Sequence, residues 1–146
     1  MYLGNYQTRF DQQKGRTAIP SSFRKQLGKK AIITKGYENS LMIIPVNDWE
    51  KVIGKVLDEN FLSGFSRQTE RFLLGNAFEI SFDSQGRFII PVNLREYAKL
   101  ENETIFVGVG NRVEMWDKKV WEKNNQYLDE NIAQLSEKLD EKQRTK

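Results

Sequence analysis

Arginine follows glycine twice in the same setting, as Gly15-Arg16 and Gly86-Arg87, 71 residues apart and each shortly after an aspartate, Asp11 or Asp83. A guanidinium is a planar fork of five donors that matches phosphate oxygens or the O6/N7 edge of guanine. Asp followed by Gly marks a tight turn, because the Asp side chain can bond nearby backbone and Gly accepts positive φ. Each arginine is thus expected at the base of an exposed loop, where it either reaches a nucleic acid or pairs with its own loop aspartate. Gln13, Lys14 and Gln85 share these loops. Lys14 can hold a phosphate or read a base while its counterpart Gln85 is neutral, so the first loop is expected to contribute more. Arg24, Lys25 and Arg95 stand about two helical turns beyond the loops, a placement that suits phosphate contact or a solvated helix face.

Other chemistries lack their parts. The 146 residues include no Cys and no His, which removes disulfides, thiolate zinc sites, cysteine nucleophiles and the usual general base. Carboxylates remain, but none clusters in a recognisable catalytic or metal-binding loop, so neither an enzyme nor a cofactor is expected. No apolar run approaches the roughly 20 residues that span a bilayer, and the start lacks a signal-peptide layout. A cytoplasmic protein without membrane attachment is the expectation. The net charge of +3 is small but unevenly spread: Met1 to Leu57 carries ten Lys/Arg against four acids, and the remainder is net acidic. A basic first third suits a face presented to a polyanion.

The elements that must position these loops come from an internal repeat. The offset of 71 also pairs Ile19 with Ile90, Pro20 with Pro91 and Arg24 with Arg95. On both flanks it becomes 72, pairing Phe10 with Phe82, Asp11 with Asp83, Gly36 with Gly108, Asn39 with Asn111 and Trp49 with Trp121. The first copy therefore carries one extra residue in its loop. In each copy an alternating strand (Tyr6, Thr8, Phe10; Phe78, Ile80, Phe82) runs through the turn into a second strand (Arg16 to Ile19; Arg87 to Ile90), which predicts a β-hairpin. Pro20 and Pro91 then open helices over Ser21 to Leu27 and Val92 to Leu100. A second hairpin follows, Ala31 to Thr34 with Leu41 to Ile44, and Thr104 to Val109 with Val113 to Trp116, its turns supplied with Gly and Asn that tolerate positive φ.

Four strands and one short helix cannot bury a sheet face alone, so the two copies are expected to interlock. The predicted fold is mostly β with flanking helices (α+β): one pseudo-two-fold barrel built from a first module (4–51), a helical connector (52–75), a second module (76–122) and a C-terminal helical tail (123–146). The connector helix, about Phe61 to Leu74, is expected to present Phe61, Phe65 and Phe72 on one face. Trp121, Leu128, Ile132, Leu135 and Leu139 form a helical stripe in the tail, for packing against the barrel or a neighbouring subunit.

Asp83-Ser84-Gln85-Gly86-Arg87-Phe88-Ile89-Ile90-Pro91, and its counterpart ending Lys14-Gly15-Arg16-Thr17-Ala18-Ile19-Pro20, resemble the Asp-x-x-Gly-Arg-x-x-Ile-Pro signature of SpoVT/AbrB-type swapped-hairpin domains. Met1-Tyr2-Leu3-Gly4, Phe23-Arg24, the Arg67 to Ala77 segment and Trp116-Asp117 extend the likeness over nearly the whole chain, which is similar to the MraZ family. That resemblance implies tandem SpoVT/AbrB-like modules and a transcriptional regulator of bacterial division and cell-wall genes, usually a repressor at its own promoter. It also implies a nucleoid-associated ring, commonly of eight subunits, binding several short direct repeats of double-stranded DNA together. The chain departs from the pattern at Gln12-Gln13, which fill space the family gives to one residue. Two other readings stay open: an antitoxin-like module, against which the charge-balanced helical tail argues, and an oligomeric scaffold in which Arg16 and Arg87 serve subunit contacts.

Overall fold

A computed structural model describes residues 1–57 and 62–144. In chain order its elements are β1 (Tyr2–Arg9), β2 (Arg16–Ala18), α1 (Ser21–Leu27), β3 (Lys30–Lys35), β4 (Leu41–Pro45), a 3-10 turn (Val46–Asp48), α2 (Trp49–Leu57), α3 (Gly64–Leu73), β5 (Phe78–Ser81), β6 (Arg87–Ile89), α4 (Val92–Tyr97), β7 (Glu103–Gly110), β8 (Val113–Asp117) and α5 (Lys118–Arg144). The α+β class holds, but helical residues outnumber strand residues, because α5 alone contributes 27. Pro20 and Pro91, each with φ near the helical value and ψ extended, stand immediately before α1 and α4 as expected of residues that end a ladder and open a helix.

Strand pairing departs from the simple hairpin expectation. The second hairpins form within each copy, β3 with β4 and β7 with β8. The first do not: β1 lies antiparallel to β7 over eight residues, β5 lies against β3, and β2 pairs with β6. Between β1 and β2 only the isolated Asp11–Arg16 bridge remains. Eight ladder positions for β1 on β7, and four for β5 on β3, exceed what the three-residue β2 and β6 can offer, so each copy's first strand is taken up by the other copy. The result is a six-stranded sheet, β1-β7-β8-β4-β3-β5, and a separate two-stranded ribbon, β2-β6.

The expected closed barrel is not formed. β1 and β5 are sheet edges, and Pro20 and Pro91 end the ribbon before it can bridge them. The two-fold relation between the copies is nevertheless visible in the register. Thr17 faces Phe88 at the centre of the ribbon and Met42 faces Glu114 at the centre of the sheet, each pair being equivalent positions of the repeat. Gly108 lies within β7 opposite Gly4, where a Cβ would fall within 2.5 Å of the Tyr2–Leu3 backbone. Glycine is needed there for close approach.

Leu41 to Pro45 are all buried because β4 is covered on both faces. Leu41 and Ile43 join Phe23, Ile33, Ile90, Leu94, Phe106 and Met115 in the main core, while Met42 and Ile44 pack with Leu73, Trp49 and Phe72 under α2 and α3. Each fully buried aliphatic side chain here contributes about 1.5–3 kcal/mol. Of the face predicted for the connector helix, Phe72 packs against the cluster of Met42, Ile44 and Leu73. Phe65 is 89% exposed, Ser66 and Leu73 point inward, and Phe61 lies outside the described residues. In the tail, Trp121 packs edge-on against Trp116, whereas Ile132 and Leu139 remain exposed.

Candidate nucleic-acid interface

The two loops are built alike and held from outside. In the first, the Asp11 carbonyl accepts the Gly15 N–H at 2.7 Å, and Asp11 Oδ1 accepts the Lys14 N–H at 3.0 Å. In the second, the Asp83 carbonyl accepts the Gly86 N–H at 2.9 Å, and Asp83 Oδ1 accepts the Gln85 and Arg87 N–H groups at 2.9 and 2.8 Å. Gly15 and Gly86 adopt φ of +66° and +78°, a conformation that favours glycine. Beyond the turns each loop leans on the other copy: Ile90 N–H donates to the Gly15 carbonyl and Ile19 N–H to the Gly86 carbonyl, both at 2.9 Å.

Strand alternation then separates the ribbon's two faces. Thr17 and Phe88 point into the protein and are buried. Arg16, Ala18, Arg87 and Ile89 occupy the outer face, where Arg16 sits opposite Ile89 and Arg87 opposite Ala18. The two arginines are therefore diagonal neighbours, a relation that places residues roughly 7–8 Å apart, and they line one open cavity of about 570 Å³. Their electrostatic states differ. Arg87 Nε donates to Asp83 Oδ2 at 2.7 Å, whereas the Arg16 side chain makes no ion pair or hydrogen bond among the described residues. The Arg87 backbone and side-chain hydrogen bonds lower the Asp83 carboxyl from its ordinary 3.8 to about 2, so that pair is charged throughout the neutral range.

The remaining predicted residues divide into two groups. Gln13, Lys14, Gln85 and Lys25 are exposed, on the loops or on α1. Arg24 and Arg95 are half-buried and turn back toward the loops of the opposite copy, so the structure does not bring them to the ribbon's outer face. Two contributions escaped the reading of motifs. Ile89, 63% exposed beside Arg16, is one, and strand alternation from Arg87 would have placed it outward. The other is a hydroxyl chain, Thr104 to Thr8 to Thr17, with oxygen separations of 2.7 and 2.9 Å. Thr17 spends its one proton on the Arg9 carbonyl at 2.6 Å, so Thr8 must donate to Thr17. The chain ties the ribbon to the sheet, and no sequence motif announces it.

What the outer face can do chemically is bind an anion or a base edge without first breaking an existing pair at Arg16. Comparison with known proteins agrees with a regulatory family. The family model described as "MraZ protein, putative antitoxin-like" matches twice, over residues 1–72 and 73–143. The chain is 40% identical to the "Transcriptional regulator MraZ" of Thermoanaerobacter sp. (strain X514) over 141 residues, covering 97% of this chain and 98% of that protein. It is 40% identical to the protein of the same name from Desulforamulus reducens over 139 residues, 95% and 97% of the two chains. The Moorella thermoacetica protein, likewise so named, is 39% identical over 139 residues, 95% and 96% of the two chains. With its fold, its doubled Asp-to-Gly-Arg loops and these matches along nearly its full length, the chain belongs to the MraZ family.

Proposed function

We propose that this chain is a sequence-specific DNA-binding transcriptional regulator, and not an enzyme, that acts in the cytoplasm on nucleoid DNA. Its modules are the two copies of the repeat, fused by the exchange of their first strands. Acting as a repressor, it binds tandem direct repeats upstream of division and cell-wall genes, its own promoter among them, as a ring of about eight subunits. The carrying observation is the unpaired, half-buried Arg16 guanidinium on the outer face of a two-stranded ribbon, beside exposed Ile89. Such a ribbon fits the major groove of B-DNA, and an arginine fork there takes guanine O6 and N7 together. Ile89, opposite Arg16, offers an apolar surface to a thymine methyl. Lys14, Gln13 and Gln85 reach the flanking bases and backbone, Lys25 takes a phosphate, and Arg87 contributes the Nη groups that its bond to Asp83 leaves over.

Footprinting on DNA upstream of the protein's own gene tests this reading. Wild-type protein should protect a run of short direct repeats. Arg16→Ala should need about ten- to a hundredfold more protein for the same protection, as expected for one bidentate base contact. Unchanged protection by Arg16→Ala, or none by the wild type, would defeat the reading.

A further inference from the structure

Arg24 and Arg95 are equivalent residues of the two copies, and each lies against the loop of the other. Arg24, in the first copy, donates from Nη2 to the Asp83 carbonyl at 2.9 Å and to the Ser84 carbonyl at 2.5 Å, both in the second loop. Its Cδ lies against the same loop, 3.3 Å from where a Cβ on Gly86 would stand. Arg95, in the second copy, covers the first loop so closely that a Cβ on Gly15 would fall 2.3 Å from its Nη1. The two glycines thus leave room for guanidinium groups as well as permitting positive φ. Helix geometry delivers both arginines. Pro20 and Pro91 open α1 and α4, and the Arg24 and Arg95 N–H groups close the first turn onto the carbonyls of those prolines at 3.1 Å.

The structure assigns Arg24 and Arg95 a positioning role: each arginine clamps the recognition loop of the opposite repeat, so that neither loop is shaped by its own copy alone. The assignment rests on the reading of these loops as the DNA contacts, and it takes the two arginines out of the set that touches phosphate. The clamps are unequal. Arg24 closes on two carbonyls, whereas the Arg95 side chain makes no hydrogen bond among the described residues and its Nε is buried without a partner. The first loop has one residue more, Asp11 to Gly15 against Asp83 to Gly86, and no carbonyl of that longer loop bonds the Arg95 fork. The second loop is consequently locked by Arg24 and by the Arg87–Asp83 pair together, while the first, which carries Lys14 and Arg16, stays adaptable.

Arg24→Lys separates the two roles, because it keeps the positive charge but its ammonium ends one bond short of the point where Nη2 meets both carbonyls. Three quantities are read for wild type, Arg24→Lys and Arg24→Ala in the full chain. They are affinity for tandem repeats and for unrelated DNA, the dependence of affinity on salt, and amide exchange at Gln85 and Gly86. A clamp predicts that both variants lose about tenfold in affinity for the repeats and little for unrelated DNA. It also predicts wild-type salt slopes and at least tenfold faster exchange in the second loop. A phosphate contact predicts instead that Arg24→Lys binds like wild type and that Arg24→Ala lowers the salt slope by about 0.9, one released counterion. That outcome, or unchanged exchange in both variants, overturns the assignment. A mere loss of folded protein would reduce binding to both DNAs equally, and so also counts against it. Should wild-type protein bind no repeats at all, the functional reading fails by itself, while amide exchange still decides the clamp.

Discussion

The two loop arginines, identical in their sequence setting, end in different states, and the reason is one residue of loop length. In the four-residue loop Asp83 lies within reach of Arg87, gathers its N–H and its Nε–H, and is held at a pKa of about 2. In the five-residue loop Asp11 instead turns to the Lys14 N–H, and Arg16 is left without a side-chain partner among the described residues. The alternative of an arginine paired to its loop aspartate was legible in the sequence, but which of the two would pair was not, since spacing along the chain does not fix a side chain's direction. The depressed Asp83 value carries a pH dependence. Its carboxylate is more acidic folded than unfolded, where about 3.9 is usual. The interaction is therefore fully present above pH 4 and is lost as pH falls through about 2. Carboxyl carbon shifts followed by NMR should give a midpoint near 2 for Asp83, moving toward the ordinary range in Arg87→Ala. A wild-type midpoint near 4 would show that the pair does not persist in solution.

At the scale of elements, the intervals of strand and helix followed from periodicity and from the prolines, to within a few residues. Partners did not, because alternation says which face of a strand is buried and is silent on which neighbour supplies the ladder. The exchange of β1 onto β7 is supported by details visible only when both are in place. Gly108 admits the Tyr2–Leu3 backbone, and Thr8 joins Thr104 to Thr17. The opposite half of the molecule manages without hydroxyls: Ile80 and Phe88 stand at the positions equivalent to Thr8 and Thr17, and both are buried. Thr17→Val keeps the shape but removes the donor to the Arg9 carbonyl and the acceptor for Thr8, and should cost about 1–3 kcal/mol in urea denaturation. Gly108→Ala should cost more than an exposed strand substitution does, because backbone of β1 and not a flexible side chain occupies the space. A Thr17→Val variant as stable as wild type would mean that the hydroxyl chain contributes no net stability.

At the scale of the molecule, the charge distribution limits what one chain can achieve alone. A net charge of +3, the unpaired Arg16 and a few exposed loop side chains make a small set of contacts, and affinity for DNA at physiological salt depends strongly on the number of phosphates neutralised. Under the proposed function, useful affinity comes from subunits acting together, each later contact being made at the high effective concentration set by the first. In the proposed ring neighbouring ribbons sit at fixed spacing, so the gain depends on the repeats presenting their grooves in the same rotational phase. We predict that titration at fixed salt gives far tighter binding to three tandem repeats than three independent sites would, and that inserting about 5 base pairs between repeats, half a helical turn, removes most of that gain. Two subunits that bind independently would be indifferent to phase. Equal affinity for one repeat and for three, or a gain that survives the half-turn insertion, would therefore refute cooperative binding by a rigid assembly while leaving the single-loop chemistry of Arg16 intact.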